Sequence, residues 1–265
     1  MKTAVAIWQD KINSPDEVRA KFSRSLEQAA REGARLIVYP ALAGSSFASY
    51  KEYQDTVLGL SQKHPQLAIC PGSALEEEDG KIYHTSFLVQ NGRVFLKQRQ
   101  LYLAKWERKH GFCRGSDLAF AQIGPFKTAI ILSTDVFYPR VWRYAALLGA
   151  NLILSPVAIR GPENLPTQIK GVWANVQANL VFALESGFKG EYKGIRFSSK
   201  SVIHAPLAVT ENDDGFLAIE EGPREYIIAE LNPAQLQEAS REFDPLRQLN
   251  PAAYTRLYSE VSRHA

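Results

Sequence analysis

The first forty residues set out a strand, a helix and a second strand in quick succession, and that order confines the chain to layered α/β architectures. Thr3 to Trp8 is a short, mostly apolar run suited to a strand. Ser14, Pro15 and Glu17 then read as an N-cap, a proline at the first helical position and a capping glutamate. Val18, Phe22, Leu26 and Ala29 recur at helical spacing up to the stop at Gly33. Leu36-Ile37-Val38-Tyr39 is the second strand, ended by Pro40. No glycine-rich phosphate loop follows the first strand, which argues against a dinucleotide-binding fold.

The alternation continues downstream. Leu67 to Cys70 is a short strand closed by Pro71-Gly72. Tyr83 to Val89 and Arg93 to Lys97 flank Asn91-Gly92, the strongest short hairpin signal, so an antiparallel pair is embedded in the sheet. Thr128 to Leu132, a helix over Val141 to Leu148 capped by Gly149, and Asn151 to Leu154 ending at Pro156 form a second βαβ unit. Trp173 to Asn179 reads as a helix. Leu180 to Leu184, Lys200 to His204 and Tyr226 to Leu231 read as strands before a polar, proline-punctuated tail. No repeat, linker or low-complexity tract divides the chain, so residues 1–265 are expected to form one domain.

Composition removes several classes of function. The 31 Lys+Arg and 28 Asp+Glu are interleaved, and a net charge of +3 gives no electrostatic case for nucleic acid. Cys70 and Cys113 are the two cysteines, which excludes a disulfide framework and any Cys/His spacing for a structural metal. No segment approaches the roughly 18 apolar residues of a membrane span, and the opening apolar stretch is too short for a secretory signal. The default expectation is a cytoplasmic protein without metal, cofactor, nucleic-acid or membrane partner.

Three strand ends hold the residues of interest: Tyr39-Pro40-Ala41-Leu42, the segment from Lys97 to Leu103, and the segment from Ile131 to Arg140. Ligands in α/β sheets gather at the carboxyl ends of strands. Here the sequence resembles the nitrilase, or carbon-nitrogen hydrolase, superfamily. Ser133-Thr134-Asp135-Val136-Phe137-Tyr138-Pro139 with Arg143, Gly149-Ala150-Asn151 and Pro156 looks like the block around that family's nucleophile. Leu246, Arg247, Asn250-Pro251 and Tyr254 are similar to its closing tail. The resemblance covers essentially the whole chain. It implies a four-layer α-β-β-α sandwich in which Thr3–Trp8, Leu36–Tyr39, Leu67–Cys70, Thr128–Leu132, Asn151–Leu154 and Leu180–Leu184 lie in two packed mixed sheets flanked by helices.

Members of that family hydrolyse or transfer non-peptide C–N bonds with a Glu base, a Lys that stabilises the oxyanion and a Cys nucleophile. The matching positions here are Ala41, Gln100 and Ser133, with Glu107 as a remnant of a second glutamate. The three are expected to converge around one pocket, within about 10 Å of one another, joined by Glu107, Thr134 and Asp135. Ala41 cannot take a proton from Ser133, and Gln100 lacks the full charge that an oxyanion site uses.

Each residue also has a plainer role. Ser133 suits a small core residue, Asp135 a turn cap, and Glu107 lies in the charged run Lys105 to His110, which reads as a solvated face. Glu76-Glu77-Glu78-Asp79 reads as a solvated loop, and His84 and His204 as strand histidines. The leading expectation is therefore a pseudoenzyme: a homodimer that keeps the fold and a ligand pocket, without C–N hydrolysis, and that binds a small molecule or regulates a partner. Phe137, Tyr138, Trp142 and Tyr144, with the tail from Phe243 to Tyr254, are expected at the two-fold interface. The alternatives are a divergent C–N hydrolase or acyl transferase using Ser133 or Glu107, and a structural subunit assembled with an active paralogue.

Overall fold

Ser14 caps the first helix as its sequence suggests. Its Oγ accepts the Glu17 N–H at 3.3 Å, Pro15 stands in the first turn, and Val18, Phe22, Leu26 and Ala29 are buried along one face of α1 (Pro15–Arg31). This helix joins β1 (Lys2–Ala6) to the parallel β2 (Leu36–Val38), with Thr3 opposite Leu36. The structure is a computed structural model that describes residues 1–8, 14–161, 169–242 and 244–261.

The chain then forms α2 (Tyr50–Lys63) and β3 (Ala68–Cys70), which is parallel to β2. The strands β4 (Ser73–Glu78), β5 (Lys81–Gln90) and β6 (Arg93–Arg99) follow as antiparallel neighbours. Asn91 and Gly92 connect the last two at φ 46° and 71°, the doubly left-handed turn whose twist matches that of the strands. After α3 (Lys105–Lys109), the short β7 (Phe112–Cys113) pairs with β5.

A second sheet takes β8 (Phe120–Ile123), β9 (Phe126–Ile130), β10 (Leu152–Val157) and β11 (Phe182–Gly187), the last three parallel. A separate ribbon, β12 (Gly190–Tyr192) and β13 (Ile195–Phe197), precedes β14 (Val202–His204) and β15 (Phe216–Ile219), which complete this sheet in the order β15-β14-β11-β10-β9-β8. The strand β16 (Tyr226–Glu230) returns to the first sheet, antiparallel to β1.

Strand parity explains the layers. Leu36, Leu152, Leu154, Phe182 and Leu184 belong to one apolar core shared by both sheets, in which Phe126 meets Phe182 edge-on at 6.0 Å. The opposite parity of the second sheet, Ile153 and Ala183, packs with Trp142 and Ala145 of α4 (Pro139–Leu147) and Val176 of α5 (Ala174–Asn179). Phe22 of α1 and Tyr53 of α2 meet Tyr39 and Phe87 on the outer side of the first sheet, at ring distances of 4.0 and 6.1 Å. The fold is thus an α-β-β-α sandwich. Two further helices, α6 (Pro233–Glu242) and α7 (Pro251–Val261), occupy the tail.

Several local expectations change. Ser73–Glu78 is a strand, and Glu76 within it is buried against Lys97, Arg99 and Thr85, so only the tip around Asp79 is the solvated loop that four consecutive acids suggest. The run Lys105–His110 is mostly a helix that buries Trp106 against Phe112 and Phe197 and Glu107 against the Gln100 amide and the Ala104 N–H. Pro156 pairs in register with Ser186 inside β10 and does not end it. Leu180 caps α5 at φ 49°, delaying the strand to Phe182. Trp142 is internal, with Nε1 donating to Val136 O at 3.2 Å, so it has no surface to offer a second subunit. Tyr138 and Tyr144 are exposed. Phe243 lies outside the described residues. Among the described residues no helix is long and apolar enough to cross a membrane.

Candidate functional site

The end of β6 sorts its side chains by parity. Lys97 and Arg99 point to the side where Glu76 and Glu78 receive them, whereas Gln98 and Gln100 are buried. Gln100 lies where β6 gives way to the loop before α3, and its backbone N–H donates to His84 O at 2.9 Å.

A buried chain of hydrogen bonds runs through Gln100. The Leu42 N–H donates to Ser73 Oγ at 2.8 Å, and Ser73 Oγ lies 2.6 Å from His84 Nε2. His84 Nδ1 lies 2.6 Å from Gln100 Oε1. Because Gln100 Oε1 can only accept, the network assigns the hydrogen to Nδ1, leaving Nε2 to accept from Ser73. The two Gln100 amide hydrogens are shared among Tyr102 O at 2.8 Å, Glu107 Oε2 at 2.9 Å and Thr134 Oγ1 at 2.7 Å. Thr134 passes its own hydrogen to Tyr102 O at 2.8 Å, and the Ala104 N–H donates to Glu107 Oε2 at 2.6 Å. Glu107 Oε1 is buried and receives no hydrogen bond from the described residues.

Asp135 secures the same segment from the other sheet. Its carboxyl accepts the Leu101 N–H at 2.9 Å and the Tyr102 N–H at 2.7 Å. Burial pushes this carboxyl up to about 8, despite those backbone donors, and Glu107 adds to the rise. In place of the cap on a local turn expected for Asp135, its carboxyl ties down a loop distant in sequence. Tyr102 stacks on Tyr138 with ring centroids 3.9 Å apart, closing the clamp on its outer side.

Two non-glycine residues here adopt left-handed backbone, Leu42 at φ 63° and Ser133 at φ 50°. Each conformation costs roughly 1–2 kcal/mol for an L-residue. Leu42 is held by the Ser73 hydroxyl. Ser133 begins a 3-10 turn over Ser133–Phe137, and among the described residues the one hydrogen bond of its Oγ is to the Ala158 carbonyl at 3.5 Å. Ala41 is fully buried, directly before Leu42.

The structure therefore ties Gln100, Glu107 and Thr134 together directly, attaches Asp135 through the backbone of residues 101 and 102, and sets Ser133 beside Thr134. Ala41 joins only through its neighbour Leu42. His84 and Ser73 were missed as members of this group. For His84 the signal was strand alternation, since polar His84 and Ser86 share one buried side of β5 with Leu88. The cysteines stand apart. Cys70 is buried with its thiol pushed up to about 11 by burial, and Cys113 lies in β7 opposite Tyr83. Among the described residues no group of three His, Cys, Asp or Glu side chains could hold a metal ion.

Comparison with known proteins agrees with this architecture. The profile of the carbon-nitrogen hydrolase family matches residues 4–241. A nitrilase of Pyrococcus abyssi is 26% identical over 226 residues, covering 78% of this chain and 82% of that protein. A citrullinase of Francisella tularensis subsp. tularensis is 24% identical over 186 residues, covering 61% and 63%. Among solved structures, the NitN amidase from Nesterenkonia sp. AN1 superposes with a TM-score of 0.79 at 20% identity, over 97% of this chain and 99% of that one. Matched through nearly all of its two-sheet core, the chain belongs to the carbon-nitrogen hydrolase family.

Proposed function

We propose that the protein is a non-catalytic member of its family, a homodimer that binds a small molecule or regulates a partner through the site around Gln100. One observation carries this reading: among the described residues Ser133 Oγ has no hydrogen-bonded base, its one hydrogen bond being to the Ala158 carbonyl at 3.5 Å. A serine needs a partner to take its proton. Ala41 offers a methyl group, and the Gln100 amide is committed to four neighbours. A glutamate-to-glutamine mutant of the Nesterenkonia amidase shows covalent addition of the acetamide moiety of fluoroacetamide at its active-site cysteine, and this chain has serine where the family motif it resembles has cysteine. The dimer reading rests on Tyr138, Tyr144, Leu147 and Leu148, exposed at one end and along one face of α4.

A serine-based hydrolase or transferase is the second reading, favoured by the left-handed backbone at Ser133, since strain of this kind clusters at working sites. A panel of short amides, nitriles and ureas, with Ser133→Ala as control, separates the two. No turnover above the control is expected. Turnover that disappears in Ser133→Ala establishes the second reading. Sedimentation at micromolar concentration tests the dimer, and a monomer there removes it.

A further inference from the structure

At one end of the sandwich the two sheets finish on β15 and β16, whose outer edges are unpaired among the described residues. Between these strands lies a groove of about 560 Å³ that shares no residue with the Gln100 site. Ladder alternation fixes what the edges present. The Ile7 N–H donates to Glu225 O and the Leu231 N–H to Met1 O, so the odd-numbered residues of β16 spend their backbone groups on β1. Tyr226 and Ile228 therefore turn theirs outward. An open edge is a template for another strand, and proteins usually blunt it with lysine, proline or a bulge. The pairing of β15 is bulged, with a register shift opposite Ile203 and His204. The strand β16 pairs with β1 in unbroken register, and its residues 226–229 carry neither charge nor proline.

We propose that β16 takes an extended basic segment of a partner protein as an added strand. The apolar side chains of that segment lie against Leu217 and Ile219 of β15, and its cations meet the rim of the groove. The rim charge decides this chemistry. Glu32, Asp214, Glu221 and Glu225 stand around the groove, against Arg224 in the rim and Arg24, which pairs with Glu225 at 3.1 Å. The whole chain carries a net charge of +3, so the acidic excess is local. Glu32 receives the Tyr226 hydroxyl at 2.7 Å and Asp214 Oδ1 the Phe216 N–H at 2.9 Å. Glu221 is exposed and has no ion-pair partner among the described residues, so it can take an arriving cation. The same rim disfavours a second copy of this chain, because edge-to-edge pairing would set two groups of carboxylates against each other. The surface stands whether or not the Gln100 site turns over a substrate.

The test follows the fluorescence anisotropy of a labelled synthetic peptide that alternates lysine and valine, titrated with the full chain. One control peptide has glutamate for lysine. The other is N-methylated at every residue, which keeps the charges but removes every backbone donor. Saturable binding that weakens with added salt is expected, with each control at least about tenfold weaker. Glu221→Lys, which reverses one rim charge, should weaken binding at least about fivefold. Ile228→Pro should do the same by removing an outward N–H, a change that an edge strand tolerates because the ladder to β1 is spared. If Ile228→Pro does not fold, Glu221→Lys and the N-methylated peptide decide. No saturable binding, equal affinity for either control, or unchanged affinity in the variants overturns the proposal. Sedimentation is run on the same proteins, and a dimer that Ile228→Pro dissociates makes a second copy the occupant and overturns it as well.

Discussion

Glu76 and Glu107 are both buried carboxyl groups served by strand β6, yet their surroundings are opposite. Glu76 receives Lys97, Arg99 and Thr85 on the outer face of the first sheet. Burial pushes its carboxyl up, but those hydrogen bonds outweigh burial and hold it below the ordinary glutamate value. Glu107, on α3 beside Gln100 on the inner face, has an amide and a backbone N–H on one oxygen and, among the described residues, no donor on the other. A single alternation, Lys97-Gln98-Arg99-Gln100, thus builds an ion-pair cluster on one side and a hydrogen-bond network without lysine or arginine on the other. The outer cluster can exchange its partners with water. The inner network cannot, so each of its members is needed by the others.

Removing the amide at the centre is the strongest way to break this contrast. In Gln100→Leu the His84 Nδ1–H loses its acceptor, and Glu107 Oε2 and Thr134 Oγ1 each lose a donor. Stability should fall by about 3–6 kcal/mol, read from urea unfolding midpoints. A loss below about 1 kcal/mol would mean that water already serves these groups.

The next effect is a pH dependence. Burial raises the Asp135 carboxyl to about 8 in the folded protein, above its unfolded value near 3.9. Between these values the folded state holds a proton that the unfolded state has released, so this group lowers stability as pH rises from about 4 to about 8. In Asp135→Asn that portion of the pH profile should flatten. A wild-type profile that rises with pH across the window and is unchanged in the variant contradicts the assignment.

Glu76→Gln tests the outer cluster, and its effect should be smaller. Lys97 and Arg99 keep 39% and 23% of their side-chain surface exposed, so screening by solvent reduces the ion pairs to about 1 kcal/mol in total. The sign with pH is opposite to that of Asp135. With its folded value lowered, Glu76 contributes stability that is present above about pH 4.3 and lost as pH falls through the folded value. Added salt should shrink the difference between wild type and Glu76→Gln, while leaving the cost of Gln100→Leu unchanged.

The framework was legible wherever one local signal decided it. The Ser14 cap, the Asn91-Gly92 turn and the apolar runs of β2, β3, β9 and β10 each carry their own physics within a few residues. The helix α2 was not read, although Ser49 caps it and Tyr53, Val57 and Leu60 are spaced for one buried face, because charged and polar residues fill the other positions. The site was legible as strand ends but not as a network. Nothing near His84 in sequence says that its ring lies between Ser73 and Gln100, since each of those bonds joins neighbouring strands across the sheet. Glu107 looks solvated in sequence for the same reason: a charged run shows composition, while burial is set by how the segment between β6 and β7, which carries Glu107, folds back onto Gln100.

Ser133 gives the smallest and most specific test of the contrast, because it is the one residue of the inner group whose side chain is nearly idle. Among the described residues its Oγ makes a single hydrogen bond, long at 3.5 Å, so deleting the hydroxyl should cost little. Its backbone, at φ 50°, is where a side chain is unfavourable and glycine is not. Glycine also gains freedom in the unfolded chain, which offsets part of the relief. In Ser133→Ala the strain persists, and stability should stay within about 0.5 kcal/mol of wild type. In Ser133→Gly the strain is released, and stability should rise by up to about 1 kcal/mol. If both variants lose 2 kcal/mol or more, roughly the cost of a buried polar group stripped of its partner, the hydroxyl is held by a group at the site, and the inner network extends to the position that the family resemblance gives to the nucleophile.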